Sequence, residues 1–154
     1  MSRLVSGIAV KRLRIHADER GSVFEVLRAG EEIAGSFAQL NIVTAFPGVI
    51  KGWRRHREQS GLFAAASGTI KLVIHDDRTG SETAGETNEF ILGDRNPILV
   101  RVPAGVLYGF KAFGDREAVV VHLADRPYRA SDPDEDRVDP HLGDVPYDWD
   151  RPDR

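Results

Sequence analysis

The chain contains no cysteine among its 154 residues, which excludes disulfides, thiolate zinc sites, iron–sulfur ligation and a cysteine nucleophile. Long apolar runs are missing too. No stretch approaches the roughly 20 residues of a membrane span. The N-terminus, MSRLVSGIAVKRLRIHADERG, alternates apolar with basic residues and never sustains the roughly 7 to 15 apolar residues of a signal peptide. Both absences point to a soluble, cytoplasmic protein with no membrane partner. Charge of neither sign dominates: 21 basic residues face 24 acidic ones, a formal net charge of -3. Such a chain has no global attraction for nucleic acid, and any anion site has to be local. Helical periodicity is scarce, with one short helix-like stretch at residues 29–35.

What is present is β-structure. Short runs rich in Val, Ile and Phe recur between Gly, Pro and Asp at intervals of about ten residues, the pattern of an all-β sandwich or barrel. Strands are expected at residues 8–13, 23–27, 37–44, 48–53, 62–66, 69–75, 88–92, 98–102, 107–112 and 118–123. Apolar residues make up 41% of the chain, enough for a single core, so residues 1–124 read as one barrel. From residue 125 onward the composition changes: ten acidic residues oppose five arginines, and five prolines are spaced through the segment. The tail carries -5 and leaves +2 for the body. Tyr128, Leu142, Val145, Tyr147 and Trp149 make it too apolar for a purely solvated tail. Residues 125–154 are therefore expected to dock on the barrel as far as Trp149 and to fray beyond it.

Two segments carry chemistry. In FAQLNIVTAFPGVIKGW the Pro47-Gly48 turn leads into a strand bearing Lys51, Arg54, Arg55, His56 and Arg57. In PILVRVPAGVLYGF a tight turn at Pro103-Ala104-Gly105 precedes an aromatic strand with Tyr108. Period-two alternation puts Lys51, Arg55 and Arg57 on one face and Arg54 with His56 on the other. His56 suits proton transfer, since imidazole titrates near neutrality, with Asp139 or Asp76 as an orienting carboxylate; the plainer role is a hydrogen bond within the barrel wall. The guanidinium groups suit a diphosphate, and Arg55 and Arg57 are equally consistent with a solvated charge run. Trp53 is a stacking platform or a core residue.

Taken together, these segments resemble the dTDP-4-dehydrorhamnose 3,5-epimerase family, cupin-type β-barrels acting on nucleotide-linked 4-keto-6-deoxysugars. The similarity starts at Asp18-Glu19-Arg20-Gly21 with Glu25. It continues through Phe37, Gln39 and Asn41 into Gly48-Val49-Ile50-Lys51-Gly52, then Gly68, Asp76, Arg78 and Ser81-x-Thr83-x-Gly85. It ends with Pro103-x-Gly105-x-x-Tyr108-Gly109-Phe110, Tyr128 and Asp139-Pro140.

The resemblance implies an all-β cupin (jelly-roll) barrel that forms homodimers and binds a nucleotide sugar. Arg20, Glu25, Gln39, Asn41, Lys51 and Asp76 would contact the ligand, with Lys51 replacing a family arginine. It also marks departures. Arg54 stands where the family places its catalytic histidine, Gly61 where it places a lysine, and Tyr108 where it has the histidine of P-x-G-x-x-H-G-F. Of a family Tyr-Tyr pair only Tyr128 is kept, beside Pro127. A metal-binding cupin would need H-x-H and a later histidine, whereas this chain has Arg54-x-His56 and Tyr108, so neither metal nor other cofactor is expected. Proton transfer would then run through His56 with Tyr108 or Tyr128, oriented by Asp139, with Arg54 holding the enolate. The remaining readings are a repurposed isomerase or cyclase of the same fold, and a non-catalytic sugar-nucleotide-binding cupin.

Overall fold

A computed structural model describes residues 2–153. Strands account for 45% of the chain and helix for 2%, so the architecture is all-β, as the scarcity of helical periodicity implies. Two five-stranded antiparallel sheets face each other. The first has the order β1 (Ala9–Arg12), β9 (Ile98–Val102), β6 (Gly61–Ser67), β11 (Ala118–Ala124), β4 (Gln39–Ala45). The second has the order β12 (Asp136–Arg137), β5 (Ile50–Arg55), β10 (Leu107–Phe113), β7 (Thr69–His75), β8 (Thr87–Gly93). This is the layout expected of a cupin-like barrel. A separate hairpin joins β2 (Ile15–Asp18) to β3 (Gly21–Phe24). The expected strand at residues 23–27 is this hairpin's second arm ending at Phe24, and the helix-like stretch is one 3-10 turn, Glu32–Ala34.

Between the sheets lies the main core, built on Phe63, Ile70, Leu72, Ile74, Leu92, Val100, Val106, Phe110 and Val120. Both outer faces are also covered. Residues Phe24, Val26, Leu27 and Ile33 pack on Leu62, Ala64 and Leu99 of the first sheet. The C-terminal segment packs Val145 and Trp149 on Trp53, Val73 and Leu107 of the second. This double covering explains why β6 and β7 read as near-continuous apolar runs rather than clean alternations: their side chains are buried on both faces.

The register of β5 differs from simple alternation. Tyr108 opposes Arg54 and Phe110 opposes Lys51, so two residues of β5, Gly52 and Trp53, span the single residue Gly109. The bulge has a steric basis: a Cβ on Gly52 would lie 2.7 Å from the Gly109 Cα, a separation that only paired glycines permit. The extra residue brings Lys51 and Arg54 opposite inward-facing partners. Lys51 therefore does not share a face with Arg55, contrary to the period-two expectation.

Candidate active site

The two sheets part at one end to leave a cavity of about 490 Å³ lined from both sides. The first sheet contributes Gln39, Asn41 and Val43 from β4 and His122 from β11; the second contributes Arg54 and Tyr108, with His56 just beyond β5. The segment after β11 closes the rim with Arg126, Tyr128, Arg129, Asp134, Glu135 and Arg137. A volume of this size is typical of small-molecule sites.

His56 is held from two directions. Its Nδ1 lies 2.5 Å from the Asp134 carbonyl oxygen and its Nε2 lies 2.9 Å from the Tyr108 hydroxyl. A carbonyl can only accept, so Nδ1 carries the proton and Nε2 receives the Tyr108 hydroxyl. Where the sequence suggested Asp139 or Asp76 as the orienting group, the structure supplies a main-chain carbonyl. That carbonyl is fixed in turn, because the Asp134 carboxylate accepts the backbone N–H groups of Arg57, Glu58 and Gln59 at 2.8, 2.9 and 3.0 Å. Burial alone would raise the Asp134 pKa, but these three donors hold it below the ordinary carboxylate value. Tyr108 is 6% exposed, and burial pushes its phenol pKa well above normal, so it is protonated throughout the physiological range. Arg54 reaches Glu135, with Nε 3.4 Å from Oε1.

Gln39 donates to Asn41 at 2.9 Å and accepts the Tyr128 backbone N–H at 2.7 Å, tying the rim to β4. The Tyr128 ring is 64% exposed, so it stands at the mouth rather than within. The remaining sequence candidates lie elsewhere. Asp139 is exposed and caps the His141 N–H. Asp76 is fully buried in its own loop, bonded to Arg78, Ser81 and Thr83. Arg20 pairs with Asp18 on the isolated hairpin, and Glu25 with Arg28 just past it. Lys51 is half-buried and outside the cavity lining. Arg55 pairs with Asp77, and Arg57 with Asp134 and Asp136. Trp53 is 1% exposed. Its ring centroid sits 4.9 Å from that of Trp149, on the outer face of the sheet, so it is core rather than platform.

Sequence reasoning missed His122, Asp134 and Glu135. His122 could have been found by period two along VVVHLA, where it shares a face with the buried Val120 and Ala124; the two acids offered only their place in a charged run. The His122 ring stacks on Phe63 at 4.4 Å and 15°, and its Nε2 is buried without a partner. Burial, then the charges of His56 and Arg54, lower its pKa to about 4, which keeps the imidazole neutral at pH 7. Among the described residues no three His, Asp or Glu side chains gather to hold a metal ion, and no helix is long and apolar enough to cross a membrane.

Comparison with known proteins agrees with this picture. The family model described as dTDP-4-dehydrorhamnose 3,5-epimerase matches residues 3–152. The spore coat polysaccharide biosynthesis protein SpsL of Bacillus subtilis is 33% identical over 88% of this chain and 89% of its own length. A probable low-salt glycan biosynthesis epimerase of Haloferax volcanii is 33% identical over 94% of each. The crystal structure of a dTDP sugar isomerase from Desulfovibrio desulfuricans superposes with a TM-score of 0.88 at 32% identity, covering 94% of this chain and 92% of that one. A barrel of this topology, a polar cavity between its sheets and a match along nearly the whole sequence place the chain in the dTDP-4-dehydrorhamnose 3,5-epimerase family, whose members are isomerases.

Proposed function

We propose that the chain epimerises a nucleotide-linked 4-keto-6-deoxyhexose of the dTDP-4-keto-6-deoxyglucose type by moving a proton at a carbon beside the ketone. The observation that carries this reading is the Arg54, Tyr108 and His56 group at one wall of the cavity, with Tyr108 hydrogen-bonded to the oriented His56. The Tyr108 oxygen takes the C–H proton while its own proton passes to His56 Nε2, so the pair ends as tyrosine and imidazolium and no free phenolate forms. The electrons of the C–H bond become the new C=C bond, and the carbonyl becomes an enolate facing Arg54. Protonation from the opposite face completes inversion. At the rim, Arg126, Arg129 and Arg137 offer guanidinium groups to a diphosphate.

A homodimer fits the exposed surface. Among the described residues the β2–β3 hairpin pairs only with itself, leaving Val23 68% exposed and Ile15 39%. Along the edge strand β4 and its flanks, Phe37, Leu40, Ile42 and Phe46 are each more than half exposed. Apolar side chains on an edge strand and a free hairpin are the features that pairing with a second copy would cover, and would give Arg20 and Glu25 a route to a ligand. Light scattering should give twice the monomer mass at micromolar concentration, and a stable monomer would refute this part.

The decisive measurement is deuterium uptake from solvent into dTDP-4-keto-6-deoxyglucose. Uptake at C3 or C5 supports epimerisation. Saturable binding without uptake would make the chain a sugar-nucleotide binder, and neither binding nor uptake would remove the reading altogether.

A further inference from the structure

The Tyr108–His56 pair serves one wall of the cavity. Inversion at a carbon requires a proton carrier on each face, because a single group returns the proton to the side from which it came. Tyr108 and Arg54 lie on β10 and β5 of the second sheet; a complementary group would have to project from the first.

His122 meets that requirement on independent grounds. It sits in the middle of β11, opposite Asn41 of β4 and Phe63 of β6, and it lines the same cavity as Arg54, His56 and Tyr108. Among the described residues three buried side-chain nitrogens lack a hydrogen-bond partner: Arg55 Nε, Trp149 Nε1 and His122 Nε2. Only the last belongs to a residue of the cavity wall. Buried polar atoms in folded proteins are nearly always satisfied, so an orphan on a residue that lines a ligand cavity calls for an explanation. The ring is also held in place. It stacks on Phe63, and a Cβ at residue 61 would lie 2.7 Å from Nε2, so the glycine at that position makes the space the imidazole occupies. An imidazole takes a proton on its lone-pair nitrogen when neutral and gives one when it is imidazolium.

We propose that His122 is the second catalytic proton carrier, acting from the first sheet on the face of the sugar opposite the Tyr108–His56 pair. The inference rests on the epimerase reading above. In one direction the C–H proton passes through Tyr108 to His56 while His122, entering as imidazolium, gives its proton to the enolate. In the other, neutral His122 takes the C–H proton and the His56 imidazolium returns one through Tyr108, so each imidazole alternates between charged and neutral forms and protons and electrons balance.

Solvent-deuterium exchange on two epimers tests it, using dTDP-4-keto-6-deoxyglucose and the epimer that the wild-type protein makes from it. In His122→Phe, which keeps the stack on Phe63, inversion should fall by about 100-fold or more. Exchange should survive in the epimer whose proton faces Tyr108 and vanish in the other. Tyr108→Phe should give the reciprocal pattern. If His122→Phe inverts normally, or loses exchange equally in both epimers, His122 is a structural residue and the inference fails. His122→Gln, a polar ring replacement that cannot carry a proton, gives the same test should the phenylalanine variant not fold. A wild-type protein that exchanges neither epimer would instead sink the epimerase reading itself, which separates the two failures.

Discussion

Asp76 and His122 are both buried polar side chains, at 0% and 9% exposure, and they illustrate opposite uses of burial. The Asp76 carboxylate accepts from Arg78 Nε at 2.8 Å and Nη2 at 2.9 Å, from the Ser81 and Thr83 hydroxyls at 2.6 Å each, and from the Arg78 backbone N–H at 3.1 Å. Nothing is left over for a ligand. Arg78 above all, with the two hydroxyls, lowers its pKa well below the ordinary carboxylate value despite burial. His122 has an unpartnered nitrogen, a state that costs on the order of 1–3 kcal/mol. A saturated network stabilises the fold, and an unsaturated one keeps binding capacity in reserve. The distinction separates two residues that sequence inspection alone treats as equal candidates or overlooks.

The largest effect that would sharpen this contrast is on stability at Asp76. Asp76→Ala should cost about 3–5 kcal/mol, because it leaves Arg78 without its buried partner, while the remaining folded molecules keep their ligand affinity. Urea denaturation with ligand titration measures both. Unchanged stability, or a selective loss of binding, would erase the difference between the two regions.

Next in size is Arg54→Ala. Loss of a charge-assisted contact to an enolate or diphosphate is worth roughly 1.5–3 kcal/mol, so titration calorimetry with a dTDP-sugar should show affinity about tenfold weaker or worse. Arg151, 88% exposed and paired with Asp153, is the control, and its alanine variant should stay within about twofold. Equal affinities for both variants would disconnect the cavity from the ligand.

A more gradual effect, spread over several pH units, is in acid. His122 has a folded pKa of about 4 against an ordinary value of 6.5, so the unfolded chain binds the extra proton first. Stability should be unaffected above pH 6.5 and should fall as pH drops from 6.5 towards 4, by at most about 1.4 kcal/mol per pH unit. His56 and Arg54 are the titratable or charged groups whose fields act on it, and its β-sheet neighbours Asn41 and Phe63 carry no charge. Asp76 acts in the same direction but only below the ordinary carboxylate value of 3.8. The slope above pH 4 should therefore shrink in His122→Phe and persist in Asp76→Asn.

Much of the barrel is legible in the sequence because strands and turns are local. Val/Ile-rich runs between Gly and Pro mark nearly every strand, and Tyr147 and Trp149, the apolar residues that set the tail apart in the sequence, pack on Trp53. Strand β12 is too short to announce itself. The site is less legible because it depends on register and distance along the chain. A bulge over Gly52 and Trp53 reverses the facing of Lys51, and nothing local to those residues signals Gly109 as the partner. Asp134 reaches His56 across 78 positions. Simple alternation gives Arg54 and His56 a shared face, and both line the cavity.

The pairing of Val138 with Trp53, 2.9 Å in one direction and 3.0 Å in the other, has a temporal consequence. The groups that aim His56 and hold Arg54 come from a stretch synthesised after every strand of the two sheets except β12. A nascent chain can thus fold its barrel and expose a bare outer face on Trp53 while its cavity is still unfinished. The surroundings of His56 and Arg54 are therefore complete only once residues 134–149 have wrapped the second sheet.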